Sequence, residues 1–444
     1  MEKTAGKQYL IFRISWALLM LGIIFDLSLL DNIPVFIFKI NVQTSSIVSV
    51  LYILTFFSII PVTKIRKHLA GFEIKLFLIL TVMLITAFIS SYFSDLRGFA
   101  VGTTIFRYTL FLICFFCTVF YCGYFESAAK YIIRSFIYFN LLVIISSFAD
   151  YYFPSFNRIL IDHFGHMEAF HSSLKINGVT YIRPSGFITD TNLTAFTLAL
   201  SCLLLMLNQK LFNKYFTYTF YILAGYSFGM LASRSALIIV IASAVLFWIF
   251  KYSDRKQVVI FLVLFFLVQL LTPQTQARLS QFFNKAYIEE EIDVGRPIIW
   301  KAAIIAFKTK PVIGIGSGVF FKESDYFLAE AKGGPVNVPK ERNPFGPDYK
   351  QEGGINPHSI FLVMLTEYGV IGLLIFLLLL IFYSRELIIN KQYITIIIFA
   401  GLLFVSALSN YAPYYKYFLV LCIIIYVLGK YNMIIRNTSA NEAR

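Results

Sequence analysis

Charge is what this chain is shortest of. Of its 444 residues only 14% are charged, against 58% hydrophobic, and the mean hydropathy is +0.74. A water-soluble domain needs more polar surface, so the composition excludes one and specifies a polytopic membrane protein. Acidic residues are scarcer than basic ones, 24 against 38, for a formal charge of +14. In a soluble chain that excess would raise nucleic acid as a partner. Here it sits in short loops between apolar segments, so topology accounts for it and no nucleic acid is expected. Cysteine is rare, with five residues, all in or beside apolar runs. Cys114 and Cys117 form a CxxC within ICFFCTVF, which reads as membrane helix and argues against a redox, disulfide or zinc role. No internal repeat or low-complexity linker stands out, and the first apolar run lacks the small-residue cleavage site of a signal peptide.

What the chain has in abundance is apolar runs of bilayer length. About twelve spans of roughly 17–25 residues are expected, near 11–30, 47–62, 75–92, 103–121, 131–150, 193–207, 215–231, 236–250, 258–271, 359–383, 393–410 and 414–428. The 48 Phe and 28 Tyr fit lipid-facing and interfacial positions on them. With the N-terminus placed in the cytoplasm, the inner loops collect Lys64, Arg66 and Lys67, then Lys130 and Arg134, Lys210 and Lys214, Lys251, Arg255 and Lys256, Arg385 and Lys391. The short outer loops hold isolated cations, among them Lys39, Arg97, Arg234 and Lys416. That is the positive-inside pattern, with both termini cytoplasmic. The expected organisation is residues 1–151 as five helices, 152–272 as an outer loop with four more, 273–357 as one large outer loop, and 358–444 as the last three helices and a cytoplasmic tail. The large loop opens with an amphipathic helix over about 275–288 and becomes Gly/Pro-rich and irregular over 333–354.

Polar residues out of place in this apolar chain gather at outer membrane ends. His358 opens the tenth span in NPHSIFLVMLTEYGVIG, after Pro357, which suits a first helical turn. With an ordinary pKa near neutrality it serves equally as a general base toward a hydroxyl or as a helix cap. Arg183, Arg234 and Arg296 share the outer side, where topology allows them to meet in one cavity. Guanidinium forks grip phosphate and keep their charge, so three arginines without a carboxylate cluster suit a diphosphate; each alone also reads as a headgroup contact or structural ion pair. Asn192 reads first as a cap for the sixth span and second as a substrate contact. Glu367 lies nine residues after His358 and so faces away from it, and packs against a neighbouring span. Neither Asp162, His163, His166 and His171 nor the run Glu289, Glu290, Glu291 and Asp293 matches a metal-ligand spacing, so no metal is expected.

Four stretches together resemble the O-antigen ligase and polysaccharide polymerase superfamily of bacterial envelope glycosyltransferases. They are RPSGFITDTN (Arg183–Asn192), LASRSAL around Arg234, GRPIIWKAAIIAFKTKPVIGIGSGVF (Gly295–Phe320) and HSIFLVMLTEYGVIG (His358–Gly372). The last is similar to the ligase pattern of His, then Asn, Ser or Gln, nine residues, Gly, two residues, Gly. The resemblance implies an all-α membrane fold of the glycosyltransferase C type in the bacterial inner membrane, with a periplasmic active site and no metal or other cofactor. It implies a glycan on undecaprenyl diphosphate as donor, a sugar hydroxyl as acceptor, and a chain-length regulator and a flippase as partners. By the same likeness Arg183, Arg296 and Arg234 hold the diphosphate, His358 activates the hydroxyl, and the anomeric carbon inverts; Asn192 and Glu367 are candidates for substrate positioning. The ligases' Arg–x–x–x–Leu signature has Phe187 in place of Leu. The expected activity is therefore a polymerase, with a ligase and a polysaccharide transporter or flippase as the alternatives.

Overall fold

A computed structural model of the chain describes residues 2–25, 28–35, 38–60, 71–104, 109–125, 127–153, 155, 173–176, 179–184, 186, 191–208, 211–249, 255–281, 296–333, 357, 359–393, 395–400 and 422–429. The helices, in chain order, begin with α1 (Glu2–Phe25), α2 (Thr44–Ile59), α3 (Gly71–Tyr92), α4 (Arg97–Thr103), α5 (Leu110–Tyr124) and α6 (Ala128–Tyr152). Next come α7 (Thr191–Leu207), α8 (Lys214–Leu231), α9 (Arg234–Ile249) and α10 (Arg255–Gln269). The shorter α11 (Pro273–Gln281), α12 (Arg296–Thr309), α13 (Val319–Lys322) and α14 (Ser324–Ala331) precede the long α15 (Ile360–Ile389). Residues 395–400 and 422–429 are also helical.

Two antiparallel hairpins depart from the all-α expectation: β1 (Ser28–Val35) with β2 (Phe38–Gln43), and β3 (Ser173–Ile176) with β4 (Val179–Ile182). The first shortens the first expected span, because the helix stops at Phe25 and residues 28–30 are already strand. Pro34, which has no amide to continue a helix, pairs instead with Lys39 in the ladder. In the second, Ile176 pairs with Val179, leaving Asn177–Gly178 as the connection, the dipeptide that two-residue hairpins favour.

Among the described residues three helices are long and apolar enough to cross a membrane: α3, α6 and α15, with 22, 25 and 30 residues. Shorter apolar helices cover Ser46–Ile59, Leu112–Tyr124, Thr194–Leu207 and Ala236–Ile249. In the fourth expected span, 103–121, the described helices are α4, which ends at Thr103, and α5, which begins at Leu110; residues 105–108 lie outside the described set. The amphipathic opening of the large loop is helical over Pro273–Gln281, and residues 282–295 lie outside the described set, as do 334–356 and 401–421.

The core is inside out in the way lipid requires. Large apolar side chains stand on the outside of α3 (Ile74, Leu78, Ile85, Ile89) and of α15 (Ile371, Leu374, Leu378, Ile381). Water would penalise such a surface, whereas a bilayer accepts it. The largest buried cluster joins α1, α2, α5 to α10 and residues 423–428 around Trp16, Tyr52, Phe56, Phe120, Tyr121, Phe136 and Phe228. The CxxC thiols Cys114 and Cys117 are buried and free within it. A second cluster joins α4 to α12 and α14 through Ala100, Ala302, Ala303, Ala306, Phe320 and Phe327, and a third joins α3 to α15.

Candidate functional site

The segments expected on the outer side do meet one another. Lys310, after α12, pairs with Asp95 at 2.8 Å and donates to the Phe93 carbonyl at 2.9 Å, beyond the end of α3. Ala277 of α11 packs against Tyr181 of β4, so the two long loops touch. The candidate side chains fall into two groups.

The first group is built on Arg183, which follows β4. Its side chain is 9% exposed, and Nε donates to the Leu231 carbonyl at 2.6 Å while Nη2 reaches Asn192 Oδ1 at 3.5 Å. Leu231 is the last residue of α8, so the guanidinium neutralises a carbonyl that the helix leaves without an intrahelical partner, at the negative end of its dipole. Ala232 then takes a left-handed conformation with φ +47°, and the chain turns directly into α9, whose first residue is Arg234. Ser233 Oγ donates to the same Asn192 Oδ1 at 3.0 Å. Asn192 is the second residue of α7, and its oxygen accepts from these two side chains; the cap reading of Asn192 is therefore corrected to a bridge between Arg183 and the Arg234 turn. Gly186, three residues past Arg183, donates to Asp150 Oδ2 at 3.2 Å and fixes this segment to the end of α6.

The second group forms where the two longest motif stretches cross. Gly369 breaks α15 with φ +67° and ψ −167°. In an unbroken helix the amides of Val370 and Ile371 would bond the carbonyls of Thr366 and Glu367. Here Val370 donates to the Pro311 carbonyl at 2.9 Å and Ile371 to the Val312 carbonyl at 3.4 Å. In exchange Ile315 donates to the Thr366 carbonyl and Gly316 to the Glu367 carbonyl, each at 3.0 Å. All four groups released by the break are thus taken up by residues 311–316. That is the condition for irregular backbone inside an apolar element. The crossing admits no side chain at its centre: a Cβ on Gly314 would run into the backbone of Glu367, and one on Gly369 into the Val312 carbonyl.

Hydroxyls lock the crossing to α3 and α4. Ser317 Oγ shares a hydrogen bond with Thr104 Oγ1 at 2.8 Å, accepts from Ser91 Oγ at 3.1 Å and donates to Tyr368 Oη at 3.2 Å, with all four residues buried. Ser90 Oγ also donates to the Glu367 carbonyl. Glu367 is buried on α15, where its backbone carbonyl meets Ser90 of α3. Arg296 heads α12 with its side chain exposed, and Pro297 follows in the first turn. Its helix packs on α14 and α15, so it belongs to this second group. At the rim, half-buried Glu323 has its carboxyl pushed above the ordinary range by burial and by nearby Asp95, an effect that Lys310 opposes.

The expected site residues therefore sort as follows. Arg183, Asn192 and the turn that carries Arg234 are brought together. Arg296 and Glu367 stand with the crossing. His358 lies outside the described residues, as do Asp162, His163, His166, His171 and Glu289–Asp293, although its neighbours Pro357 and Ser359 are both buried at the start of α15. The sequence reading missed the hydroxyls of Ser91, Thr104 and Ser317, because single small polar residues in apolar runs carry no motif. It also missed the role of Gly314 and Gly369, although both stand in the stretches quoted above.

No curated protein matches the chain. Residues 219–377, however, match the family model described as O-antigen ligase. That stretch runs from within α8 through the Arg234 turn, Arg296 and the crossing into α15. The match at 219–377 supports kinship of that stretch with the O-antigen ligase and polymerase superfamily, and it takes in Arg234, Arg296, residues 311–316, Ser317 and Gly369, while Ser90, Ser91 and Thr104 lie outside it.

Proposed function

We propose that the protein is a surface-polysaccharide polymerase of the bacterial inner membrane, with about twelve spans, a glycosyltransferase C-type fold and its site on the periplasmic side. It transfers a glycan from undecaprenyl diphosphate to a sugar hydroxyl of a lipid-linked repeat unit. The observation that carries this reading is the crossing of 311–316 with the break at Gly369, which ties α15 internally to the segment that follows the helix headed by Arg296. His358 belongs at that mouth by sequence.

In the reaction the acceptor oxygen attacks the anomeric carbon and forms the new glycosidic bond. The bond from that carbon to the diphosphate oxygen breaks, and the diphosphate leaves with the electron pair. The hydroxyl proton passes to His358. Arg296 and Arg234 balance the charge that grows on the leaving group, and Arg183 sets the position of the Arg234 turn through the Leu231 carbonyl and Asn192. Preorganised cations at such a position are worth several kcal/mol of barrier. A chain-length regulator and a flippase are the partners this activity calls for.

The ligase reading has its own support, since the family matched by residues 219–377 is described as O-antigen ligase. Replacement of Leu by Phe187 after Arg183 weighs for the polymerase. Purified protein given a defined lipid-linked repeat unit should release undecaprenyl diphosphate as it lengthens the glycan. A deletion strain should accumulate a single lipid-linked repeat; accumulation of long lipid-linked chains assigns the ligase instead, and absence of any release removes the enzyme reading in favour of a transporter.

A further inference from the structure

The opposite end of the bundle carries a cavity that glycan transfer leaves unused. It lies between the middle of α1, the first turns of α6 and the residues just past α7, on the side that the charge pattern of the loops assigns to the cytoplasm. Its volume is about 540 Å3, and its lining includes Arg13, Tyr131, Arg134, Ser135, Tyr138 and Leu211. The Arg13 guanidinium sits 4.8 Å from the Tyr131 ring centre, and the Tyr131 hydroxyl donates to the Arg13 carbonyl at 3.2 Å. Arg134 Nη2 donates to the Leu211 carbonyl at 3.1 Å, while its Nε is buried with no hydrogen-bond partner among the described residues. Trp16 Nε1 donates to Ser135 Oγ at 2.8 Å and holds that wall in place. Among the described residues no carboxylate lines this cavity beside the two arginines.

Two permanent cations line one cavity, exposed Arg13 and half-buried Arg134 with its unsatisfied N–H, and they suit an anion with several acceptor oxygens. Tyr138 is 52% exposed and packs on the rings of Phe212 and Phe216, so the cavity opens toward the apolar exterior of the bundle. Tyrosine is enriched where bilayer headgroups meet the apolar core. We propose that this cavity binds the phosphodiester headgroup of an anionic membrane lipid from the cytoplasmic leaflet, with both guanidinium groups on the phosphate oxygens and the acyl chains along α6 and the Phe212–Phe216 face. The site is separate from the glycan-transfer site and stands whether that reading holds or fails.

The test is native mass spectrometry of the full chain released from nanodiscs of equal phosphatidylglycerol and phosphatidylcholine. Wild type should carry phosphatidylglycerol in preference to phosphatidylcholine. Arg134→Gln and Arg13→Gln should each lower that preference by about tenfold, the loss expected of one charge-assisted hydrogen-bonded contact. Lys214→Gln, which removes an exposed charge at the same end, should leave the preference unchanged. Arg13→Gln keeps the test usable if Arg134→Gln does not fold, since the Arg13 guanidinium supports no structural hydrogen bond among the described residues. Equal loss in Lys214→Gln would reduce the effect to general surface charge and overturn the proposal. So would displacement of the lipid by inorganic phosphate with no enrichment of phosphatidylglycerol, which would assign the cavity to a soluble ion.

Discussion

The amide of Gly316 donates to the carbonyl of Glu367 at 3.0 Å, and this bond exists because the helix carrying Glu367 is broken two residues later. A regular helix would have consumed that carbonyl. The break at Gly369 and the irregular stretch 311–316 are therefore one structure contributed by two parts of the chain, and each would leave buried backbone groups unpaired without the other.

Gly369 is the residue on which that structure turns. Its φ of +67° with ψ −167° lies in a region only glycine occupies readily, at a penalty of about 1–3 kcal/mol for other residues. Gly369→Ala adds a clash with the Val312 carbonyl. The variant should show faster amide exchange at Ile315 and Gly316 and a lower unfolding midpoint in detergent. Wild-type exchange at both amides would mean that the crossing tolerates a regular helix.

Ser317→Ala tests the hydroxyl lock. The substitution removes one oxygen that serves Thr104, Ser91 and Tyr368 together. Ser91 and Thr104 still bond each other at 2.9 Å, and Tyr368 loses the hydrogen bond that Ser317 donates to it. The expected destabilisation is about 1–3 kcal/mol, the range for a buried polar group deprived of a partner. Thermal unfolding in detergent measures it, and an unchanged midpoint would show the network to be incidental.

Glu323 gives the rim a pH dependence of definite sign. Burial and Asp95 raise its carboxyl above the ordinary 4.5. The folded rim holds the proton more tightly than the unfolded chain does. Its contribution to stability is complete below the ordinary value and is lost as pH rises through the raised one. Wild type should lose local stability as pH climbs from 4.5 toward neutrality, and Glu323→Gln should flatten that slope and match or exceed wild type at neutral pH. Amide exchange across Glu323–Leu328 is the measurement, and a steeper slope in the variant would reverse the assignment.

Much of this was legible in the chain because the signals were local. Apolar runs placed α6, α7, α8, α9 and α10 within about three residues of their observed ends, the usual boundary error. Charge placement grouped segments on one side that the Lys310–Asp95 and Ala277–Tyr181 contacts then join. What stayed hidden depends on partners distant in sequence. Nothing in VMLTEYGVIG says that the helix breaks at Gly369 unless the segment 311–316 is known to fill the break. Asn192 looked like a cap because its neighbours at 189–191 are cap-forming types; its true partners, Arg183 and Ser233, are 9 and 41 residues away. The hairpin at Ser173–Ile182 did have a local signal, Asn177–Gly178, inside a stretch read only as a polar outer loop.

The two arginines of the opposite groups should separate when stability and transfer are measured together. Arg183 caps α8 at the Leu231 carbonyl from a buried position. Arg183→Ala leaves that carbonyl short of its partner, at about 1–3 kcal/mol, and frees the turn that carries Arg234. Arg296 is exposed at a helix start, and Arg296→Ala should change stability by about 0.5 kcal/mol or less. Both should slow release of undecaprenyl diphosphate by about 100-fold, the scale for losing one preorganised electrostatic contact. The discriminating measurement is Asn192→Ala. It touches no phosphate in this scheme, yet it removes the bridge from Arg183 to Ser233, so it should reproduce part of the Arg183→Ala loss in both stability and transfer while leaving an Arg296→Ala background additive. If Asn192→Ala is silent in both and Arg183→Ala loses transfer alone, Arg183 acts on the diphosphate directly and its bond to Leu231 is not what sets the rate.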